Sequence, residues 1–542
     1  MTSTRVRRSL GSRSFRRAGI ASVAALTLVL SACGGGGGQG GGGDEGILIG
    51  TTDSVPSLDP AKCYSYYCGT IIDNVGATLV SYKPGETTPS PDLAAKEPKI
   101  SEDGLTYTYK LREGVKFHDG SALTSKDVKF SLNRARWMNH PEGAGFLLEG
   151  IKSIETPDPS TVVIHLDEPD ITFSSKMAYN VATIVPSDVY KSPKSKIETG
   201  APTSTYKKYV REDLISAGPY KLVEHRIGES ITLQAFDGFF GEAPKNDKVK
   251  VSFYAESAQM LAALQSGEID VAYRQLTPQQ RQSVSNSENI KVVSGKGAFI
   301  RYMVLNPYLE PFDSKAVRKA VAAAIDRERI INEVLKGAGE PLYTMVPPAF
   351  ENASVPAFKK LYKGKKPSDF IDGKVTIDLW FGTNHYGPQE SSIAGTVARM
   401  LEETGSFEVN VKKAAWAQFS ENNVPGKSGQ YPAFLLGWYP DFLDPDNYIQ
   451  PFYHSTQSFL QMYSNPKMDK LIKQEQTADA IDSKQRMQTF AEIQQIAAED
   501  APIIPLFVAT PQAFARKNIT GVQKTMDASQ IFRFYTISKT EG

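Results

Sequence analysis

Few residues of this chain have the type and spacing that enzyme chemistry requires. Its six histidines include no His-Glu-x-x-His pair, and the sequence has neither a Gly-x-Ser-x-Gly nucleophile motif nor a Gly-x4-Gly-Lys-Ser/Thr phosphate loop. Asp444 and Asp446 are two residues apart, but they lie in a Pro-containing turn, where acidic side chains usually bond to the local backbone. We therefore expect no catalytic residues, no metal site and no cofactor, and a protein that is not an enzyme.

The first cysteine, Cys33, lies in a setting that indicates lipid modification. Six arginines and no acidic residue precede a largely apolar run at 18–30, which is the pattern of a secretory signal. The run is short for a membrane-spanning helix. Leu30-Ser31-Ala32-Cys33 resembles the lipobox of bacterial lipoproteins, and nine of the next ten residues are glycine, as in a flexible tether. We expect a signal peptide at 1–33, lipidation of Cys33, a tether at 34–45 and a location on the outer face of the cytoplasmic membrane. A plain secreted protein is the alternative.

Two cysteines remain in the mature chain, Cys63 and Cys68. In an oxidising compartment two cysteines usually pair, and four intervening residues allow a small disulfide loop. A Cys-x4-Cys metal site would need further ligands, and no other His or Cys lies nearby. The sequence therefore favours a disulfide over a metal site.

Composition bounds the class of protein and excludes one class of partner. The mature chain has roughly 510 residues, more than one hydrophobic core usually serves, so two or three domains are expected. The signal removes six of the 61 Lys and Arg and none of the 60 Asp and Glu, which leaves a net charge near −5. Nucleic-acid binding needs a basic field, so the charge argues against it.

Strand and helix patterns mix along the chain without strict alternation, which predicts an α/β or α+β class in more than one domain. Strands are predicted at 47–51, 106–111, 161–166, 220–223, 230–233, 269–272, 375–380, 433–438 and 503–508. Helices are predicted at 125–137, 258–266, 314–336, 391–404 and 483–499. The longest, 314–336, carries apolar residues at helical spacing throughout and ends at a glycine.

One stretch resembles a known family, and further segments follow in the same order. Residues 111–120, followed by 123–128 and 131–134, are similar to the signature of the family 5 solute-binding proteins of ABC importers, the oligopeptide/dipeptide-binding class. The other matching segments are 57–60, 217–220, 262–270, 306–327, 437–445 and 501–506. The resemblance covers roughly residues 47–525.

The resemblance implies a two-lobe periplasmic-binding-protein-like α/β fold, with an extra subdomain in lobe I and a hinge between the lobes. We expect lobe I at 46–300 with its inserted subdomain near 76–213, lobe II at 301–504, and a return to lobe I at 505–542. It also implies capture of a peptide between the lobes, delivery to ABC permease subunits served by a separate ATPase, and a monomer that touches the membrane only through its lipid anchor. Closure around the ligand would follow the hinge motion of such binding proteins.

The resemblance also implies a set of ligand-binding residues. In peptide-binding relatives an acid three residues after the Trp of a Gly-Trp segment holds the amino terminus of the peptide, and Asp441 follows Trp438 at that spacing. Trp438 would supply an apolar wall or a cation–π face, with Tyr439 beside it. The alternative for Asp441 is a turn acid that caps local backbone.

Tyr64, Tyr66 and Tyr67 lie near the turn that faces the cleft in the family, so they either contact the ligand or pack around the Cys63–Cys68 pair.

Two alternatives to peptide import stay open. The same fold could bind a non-peptide solute such as a sugar, a nickel chelate, haem or an opine. The chain could also be a signalling or chaperone-like surface lipoprotein that has lost transport coupling.

Overall fold

The computed structural model describes residues 46–540 except 191–209, 212, 275, 384, 422–429, 457, 459–460 and 479. The predicted signal peptide, Cys33 and the glycine tether lie outside these residues. Within the described part of the chain, no helix has the length and apolar character needed to cross a membrane.

Lobe I is built on a mixed sheet of seven described strands. Its first strand, Ile47–Thr51, runs parallel to Lys248–Phe253 on one side and to Val271–Tyr273 on the other. The order across the sheet is Ile290–Ser294, Gln512–Arg516, Val271–Tyr273, Ile47–Thr51, Lys248–Phe253, Ser230–Ala235 and Tyr220–Arg226. The last two strands form the hairpin that the sequence predicts around Gly228, whose φ of +75° suits the turn.

A four-stranded sheet lies within the segment expected to be the inserted subdomain. Its order is Lys99–Ile100, Thr106–Lys110, Thr161–Leu166 and Ile151–Asp158. Helix Ser125–Met138 packs on this sheet and begins as the sequence predicts, because the carboxylate of Asp127 accepts a hydrogen bond from the backbone N–H of Thr124 at 2.9 Å.

Lobe II is built on a sheet of six described strands. The order is Gly339–Pro341, Ile503–Ala509, Ile300–Leu305, Ala433–Trp438, Val375–Thr383 and Phe407–Ala415. Ile300–Leu305 is buried at every position, as expected of a central strand. Since Ile503–Ala509 belongs to this sheet and Gln512–Arg516 to the sheet of lobe I, the chain returns to lobe I after Ala509, not at residue 505 as expected.

The described helices surround these sheets, and short two-stranded pairs lie at 80–91 and 519–539. The α-helices are Tyr66–Val75, Ser125–Met138, Phe173–Lys176, Ser257–Ser266, Pro278–Ser285, Lys315–Ala324, Arg327–Arg329, Ala357–Tyr362, Glu390–Glu403, Trp416–Glu421, Gln450–Tyr453, Pro466–Gln476 and Lys484–Asp500. A π-helical turn spans Ile330–Leu335. The 3₁₀ turns are Gly145–Leu148, Asn180–Ala182, Pro367–Asp369, Pro445–Tyr448, Val522–Thr525 and Phe534–Thr536.

The prediction of one continuous helix over 314–336 is wrong in one respect. The first segment ends at Ala324, Ile325 is extended, and Asp326 starts a new turn by accepting a hydrogen bond from the backbone N–H of Arg329 at 3.3 Å. The break lets Arg327 point into the lobe, where its Nε–H donates to the carbonyl oxygen of Leu342 at 3.0 Å. A buried guanidinium needs such acceptors, so tertiary contacts override the continuous helical pattern.

Candidate ligand-binding site

The turn after strand Ala433–Trp438 is held by one buried amide. The side-chain oxygen of Asn447 accepts hydrogen bonds from the backbone N–H of Asp441 at 2.8 Å and from the indole N–H of Trp438 at 3.1 Å. Asn447 is almost completely buried. It therefore fixes both the tryptophan and the acid to which the family resemblance assigns ligand contacts.

Asp441 carries a buried carboxylate at the junction of the two lobes. Only 6% of the residue is exposed, and the hydroxyl of Tyr64, from lobe I, donates a hydrogen bond to its Oδ1 at 2.8 Å. Burial raises the pKa of Asp441 to about 6, against the opposing effects of the hydrogen bonds from Tyr64 and Asn447 and of the Lys176 charge. Lys176 forms its ion pair with Asp170, at 2.6 Å, and Asp441 forms none with any described residue.

A second acid of the same turn, Asp444, is saturated. Arg486 donates to its two oxygens at 2.7 and 3.0 Å and also pairs with the buried Glu475 at 2.9 Å. The backbone N–H of Asp446 donates to Asp444 at 2.8 Å, which agrees with the local role expected for this acid pair. Asp444 therefore has a structural partner for each oxygen.

Aromatic rings from both lobes meet beside Asp441. The ring centroids of Tyr66, from lobe I, and Tyr439, from lobe II, are 5.3 Å apart. Phe299 stacks on Tyr439 at 4.0 Å, with an angle of 11° between the rings. The hydroxyl of Tyr66 is hydrogen-bonded to that of Tyr273 and donates to the backbone carbonyl of Gln530 at 2.6 Å.

Arg274 completes this aromatic group. Its guanidinium lies 3.9 Å from the centroid of the Tyr66 ring, donates to Asp53 at 2.9 Å and donates to the hydroxyl of Tyr439 at 2.6 Å. The last contact links lobe I to lobe II. Burial is the largest effect and disfavours the charge, but the combined attraction of Asp53 and of the oxygens of Tyr439, Tyr66 and Tyr273 exceeds it and raises the pKa of Arg274, so the cation is retained.

A second buried arginine supports the lobe II side. Arg301 and Glu390 form a two-pronged ion pair, with both N–O distances at 2.7 Å. The guanidinium of Arg301 also lies 4.0 Å from the centroid of the Tyr386 ring, and the hydroxyl of Tyr386 donates to the carbonyl oxygen of Gly437 at 3.1 Å. This pair orients Tyr386 beside strand Ala433–Trp438.

The remaining predicted residues have different surroundings. Tyr67 is 1% exposed and packs in the core of lobe I against Phe253 and Tyr273, so it does not face the space between the lobes. Trp438 is half-buried and meets Phe452 edge to face at 5.3 Å. The structure thus brings Tyr64, Tyr66, Tyr439 and Asp441 together and leaves Tyr67 apart.

The cysteine pair lies under the same region. Cys63 and Cys68 are joined by a disulfide, with Cα atoms 6.1 Å apart. Cys68 belongs to helix Tyr66–Val75, which was not predicted from the sequence, so the bridge ties the preceding turn to the first turn of that helix. No group of three or more His, Cys, Asp or Glu side chains among the described residues is arranged to hold a metal ion.

A cavity of about 140 Å³ lies between the lobes next to the aromatic group. It is lined by Tyr66, Tyr273, Arg274, Leu276, Arg281, Phe299, Tyr386, Gln389, Tyr439, Ala509, Thr510, Pro511, Gln512, Phe514 and Gln530. Among these residues, only Tyr66 and Tyr439 were predicted from the sequence as ligand-binding residues. The others come from segments far apart in the chain, and none stands in a motif. The one signal in the sequence was for Arg274, a basic residue that comes directly after strand Val271–Tyr273.

Comparison with known proteins identifies the family. A family model described as "Bacterial extracellular solute-binding proteins, family 5 Middle" matches residues 88–459. The match covers more than half of the chain. The chain therefore belongs to the family 5 bacterial extracellular solute-binding proteins, a family of transport proteins, which confirms the resemblance seen in the sequence.

Individual relatives match over most of their length. The chain is 25% identical over 504 residues to the probable D,D-dipeptide-binding periplasmic protein DdpA of Escherichia coli K12, covering 91% of this chain and 94% of the relative. Among solved structures, the periplasmic binding protein DppA of Helicobacter pylori in complex with the peptide STSA superposes with a TM-score of 0.74 at 22% identity, covering 91% and 98% of the two chains. AgaA of A. tumefaciens R10, in complex with agropinic acid, superposes with a TM-score of 0.72 at 21% identity, covering 92% and 99%. These likenesses confirm the two-lobe fold.

Proposed function

We propose that this protein captures peptides between its two lobes and that Asp441 pairs with the ligand's amino terminus. The observation that carries the proposal is the buried Asp441 carboxylate, which has a hydrogen bond from Tyr64 but no ion-pair partner among the described residues. A buried charge without a partner is costly, and a ligand ammonium would supply the missing charge. The peptide named with the Helicobacter pylori relative, and the dipeptides named for DdpA, support a peptide as the source of that ammonium.

The lobes supply the rest of the ligand contacts under this proposal. Tyr64 and Tyr66 from lobe I and Tyr439 from lobe II would cover the bound peptide, with Trp438 behind the turn. Because Tyr64 already contacts Asp441 across the lobe junction, binding at Asp441 would stabilise the closed arrangement.

The test uses the mature protein after partial unfolding and refolding, so that no copurified ligand remains. Calorimetry with di-, tri- and tetra-alanine, and with the same peptides acetylated at the amino terminus, separates the amine from the rest of the peptide. Acetylation should weaken binding roughly thirty-fold to several thousand-fold, because a buried carboxylate that loses its partner costs about 2–5 kcal/mol. Equal binding of free and acetylated peptides would overturn the assignment of the amine to Asp441. Absence of binding by any peptide would overturn the function.

We also propose that the protein is a lipoprotein that delivers its ligand to an ABC permease from the outer face of the membrane. The lipobox at Leu30–Cys33 and the following glycine run support the anchor, and the transport family supports the delivery. Cys33→Ala should move the protein from the membrane fraction to the medium or leave an uncleaved precursor. Unchanged detergent-phase partitioning of that variant would contradict the anchor.

A further inference from the structure

The cavity between the lobes is rich in hydrogen-bond donors and has no acidic side chain on its described wall. Arg274 and Arg281 both line it, and the one carboxylate that pairs with Arg274, that of Asp53, is not among the lining residues. Its volume of about 140 Å³ is below the roughly 300–1,000 Å³ of pockets that enclose a whole small-molecule ligand. The space therefore suits one small polar group of a ligand rather than the whole ligand.

Arg281 is a cation without an anionic partner among the described residues. It lies on helix Pro278–Ser285, and its one hydrogen bond to a described residue is a long contact of 3.4 Å from its guanidinium to the side-chain oxygen of Gln512. Burial lowers the pKa of Arg281, and no carboxylate counteracts that effect. Partly buried arginines normally have a carboxylate or phosphate partner, so the cavity holds an uncompensated positive charge.

Gln530 adds a neutral donor to the same wall. Its side-chain nitrogen is buried and has no hydrogen-bond acceptor among the described residues. A buried donor without an acceptor costs about 1–3 kcal/mol, so a group that accepts this hydrogen bond would be favoured at the site.

Two residues of this wall also have an unusual backbone conformation. Arg274 has a φ of +72° and Gln530 a φ of +56°, values that non-glycine residues adopt infrequently. Three of the other four such residues follow the last turn of a helix, where a left-handed conformation is common: Asn139, Lys336 and Ala501. Arg274 and Gln530 cap no helix, and residues held in this way are frequent at ligand sites.

We propose that this cavity, defined by Arg274, Arg281 and Gln530, is an anion subsite that takes a carboxylate of the ligand. The inference rests on the proposed function for its peptide form, and it deepens that proposal by adding a second ligand contact. Tyr66 and Tyr439 line the cavity, and each is two residues along the chain from a partner in the Tyr64–Asp441 hydrogen bond. A ligand with an ammonium at Asp441 and a carboxylate further along its chain would engage both charges.

The carboxylate has two sources in a peptide, and the experiment distinguishes them. Calorimetry compares Ala-Ala-Ala with its carboxy-terminal amide, which tests the chain end, and Ala-Glu-Ala amide with Ala-Gln-Ala amide, which tests a side chain. One of the two pairs should differ by about tenfold to a hundredfold in the wild type, as expected for hydrogen bonds to a charged group.

The variant Arg281→Gln, on a partly exposed helix, should reduce that difference to less than about threefold, and Arg281→Lys should restore part of it because the charge is kept while the planar donor geometry is lost. Arg226→Gln, an exposed arginine paired with Glu224 outside the cavity, is the matched control and should keep the full difference. A purely structural role of Arg281 would weaken all four peptides equally and leave the ratios unchanged.

The subsite is overturned if the wild type binds both peptides of each pair equally. It is also overturned if the ratio of affinities within a pair is as large in Arg281→Gln as in the wild type. Neither result would affect the proposal of peptide binding. If no peptide binds, the proposed function fails, and thermal stabilisation by glutarate then tests the subsite alone. Glutarate should stabilise the wild type and the Arg226→Gln control but not Arg281→Gln; the absence of stabilisation, or equal stabilisation of all three proteins, would overturn it.

Discussion

Asp441 and Asp444 are three residues apart in one turn, both are buried, and their surroundings are opposite. Asp444 has a two-pronged ion pair with Arg486, which also holds Glu475. Asp441 has hydrogen bonds and a raised pKa but no ion pair within the described chain. Asp444 holds lobe II together, whereas Asp441 has capacity left for a partner from outside the protein.

The difference shows how a folded protein separates structural from binding charges. Removing a buried ion-pair partner leaves the other charge stranded, so such pairs are sensitive points of stability. A buried carboxylate without a cation lowers stability when it is charged, and a ligand that supplies the cation recovers that free energy as affinity. Substitutions in the two surroundings should therefore separate stability from binding.

The largest effect is expected from Arg486→Met. The change leaves Asp444 and Glu475 buried without their cation and should lower the free energy of unfolding by about 3–5 kcal/mol. Urea unfolding followed by tryptophan fluorescence measures it, with the exposed Arg226→Met as the control expected to change stability by less than about 0.5 kcal/mol. A midpoint shift no larger than that of the control would contradict the structural role of this cluster.

Asp441→Ala should act on binding and leave folding almost untouched. Loss of the carboxylate should weaken binding of a peptide with a free amino terminus by about 2–5 kcal/mol, and Asp441→Asn should cost less because the amide keeps an acceptor oxygen. The unfolding midpoint at pH 7 should stay the same or rise, since a desolvated charge is removed.

A double-mutant cycle tests whether Asp441 and the amine meet. Acetylating the peptide should weaken wild-type binding as much as Asp441→Ala does and add little in the variant. If the two losses simply add, the pairing is absent. Asp237→Ala, at an exposed acid outside the cavity lining, should bind both peptides like the wild type.

The pH dependence of binding should follow Asp441. Its pKa of about 6 in the free protein means that the carboxylate is protonated below that pH, so affinity for a peptide amine should fall up to tenfold per pH unit between pH 6 and 5. Stability changes in the opposite direction: because the folded-state pKa is raised, Asp441 contributes stability at low pH that is lost as the pH rises through about 6. Calorimetry from pH 5 to 7.5 measures the first effect, and Asp441→Asn should bind with a flat profile over that range.

Tyr64→Phe should give the smallest change. It removes the hydrogen bond to Asp441 while keeping the ring, which meets Phe146 edge to face at 5.6 Å. We expect a loss of about 0.5–1.5 kcal/mol in peptide affinity, the net contribution of one hydrogen bond. The midpoint of the pH profile should also move upward, because the hydrogen bond favours the charged carboxylate. A loss as large as that of Asp441→Ala would show that Tyr64 contacts the ligand directly.

Local patterns predicted nine strands and five helices but missed further described elements, among them strands Lys248–Phe253 and Ile300–Leu305 and helix Pro466–Gln476. Helix Ser125–Met138 and hairpin 220–235 carry their own start and stop signals, so their positions follow from nearby residues. Helix Tyr66–Val75 escaped prediction because its N-cap, Ser65, makes no capping hydrogen bond and the helix begins within the cysteine pair. The break at Ile325 depends on carbonyl oxygens of Leu342 and Pro505, which a local pattern cannot reveal.

Ordered motifs and residue types at short spacing were enough to predict the family, the two-lobe fold class and Asp441 as a candidate ligand contact. The folded protein was needed to show that Asp444 has an ion pair while Asp441 has none among the described residues, that Tyr67 belongs to the core, and that Arg274, Arg281 and Gln530 line one cavity. Those outcomes depend on partners up to hundreds of residues away in the chain. Burial and charge pairing are properties of the assembled lobes, so no local pattern specifies them.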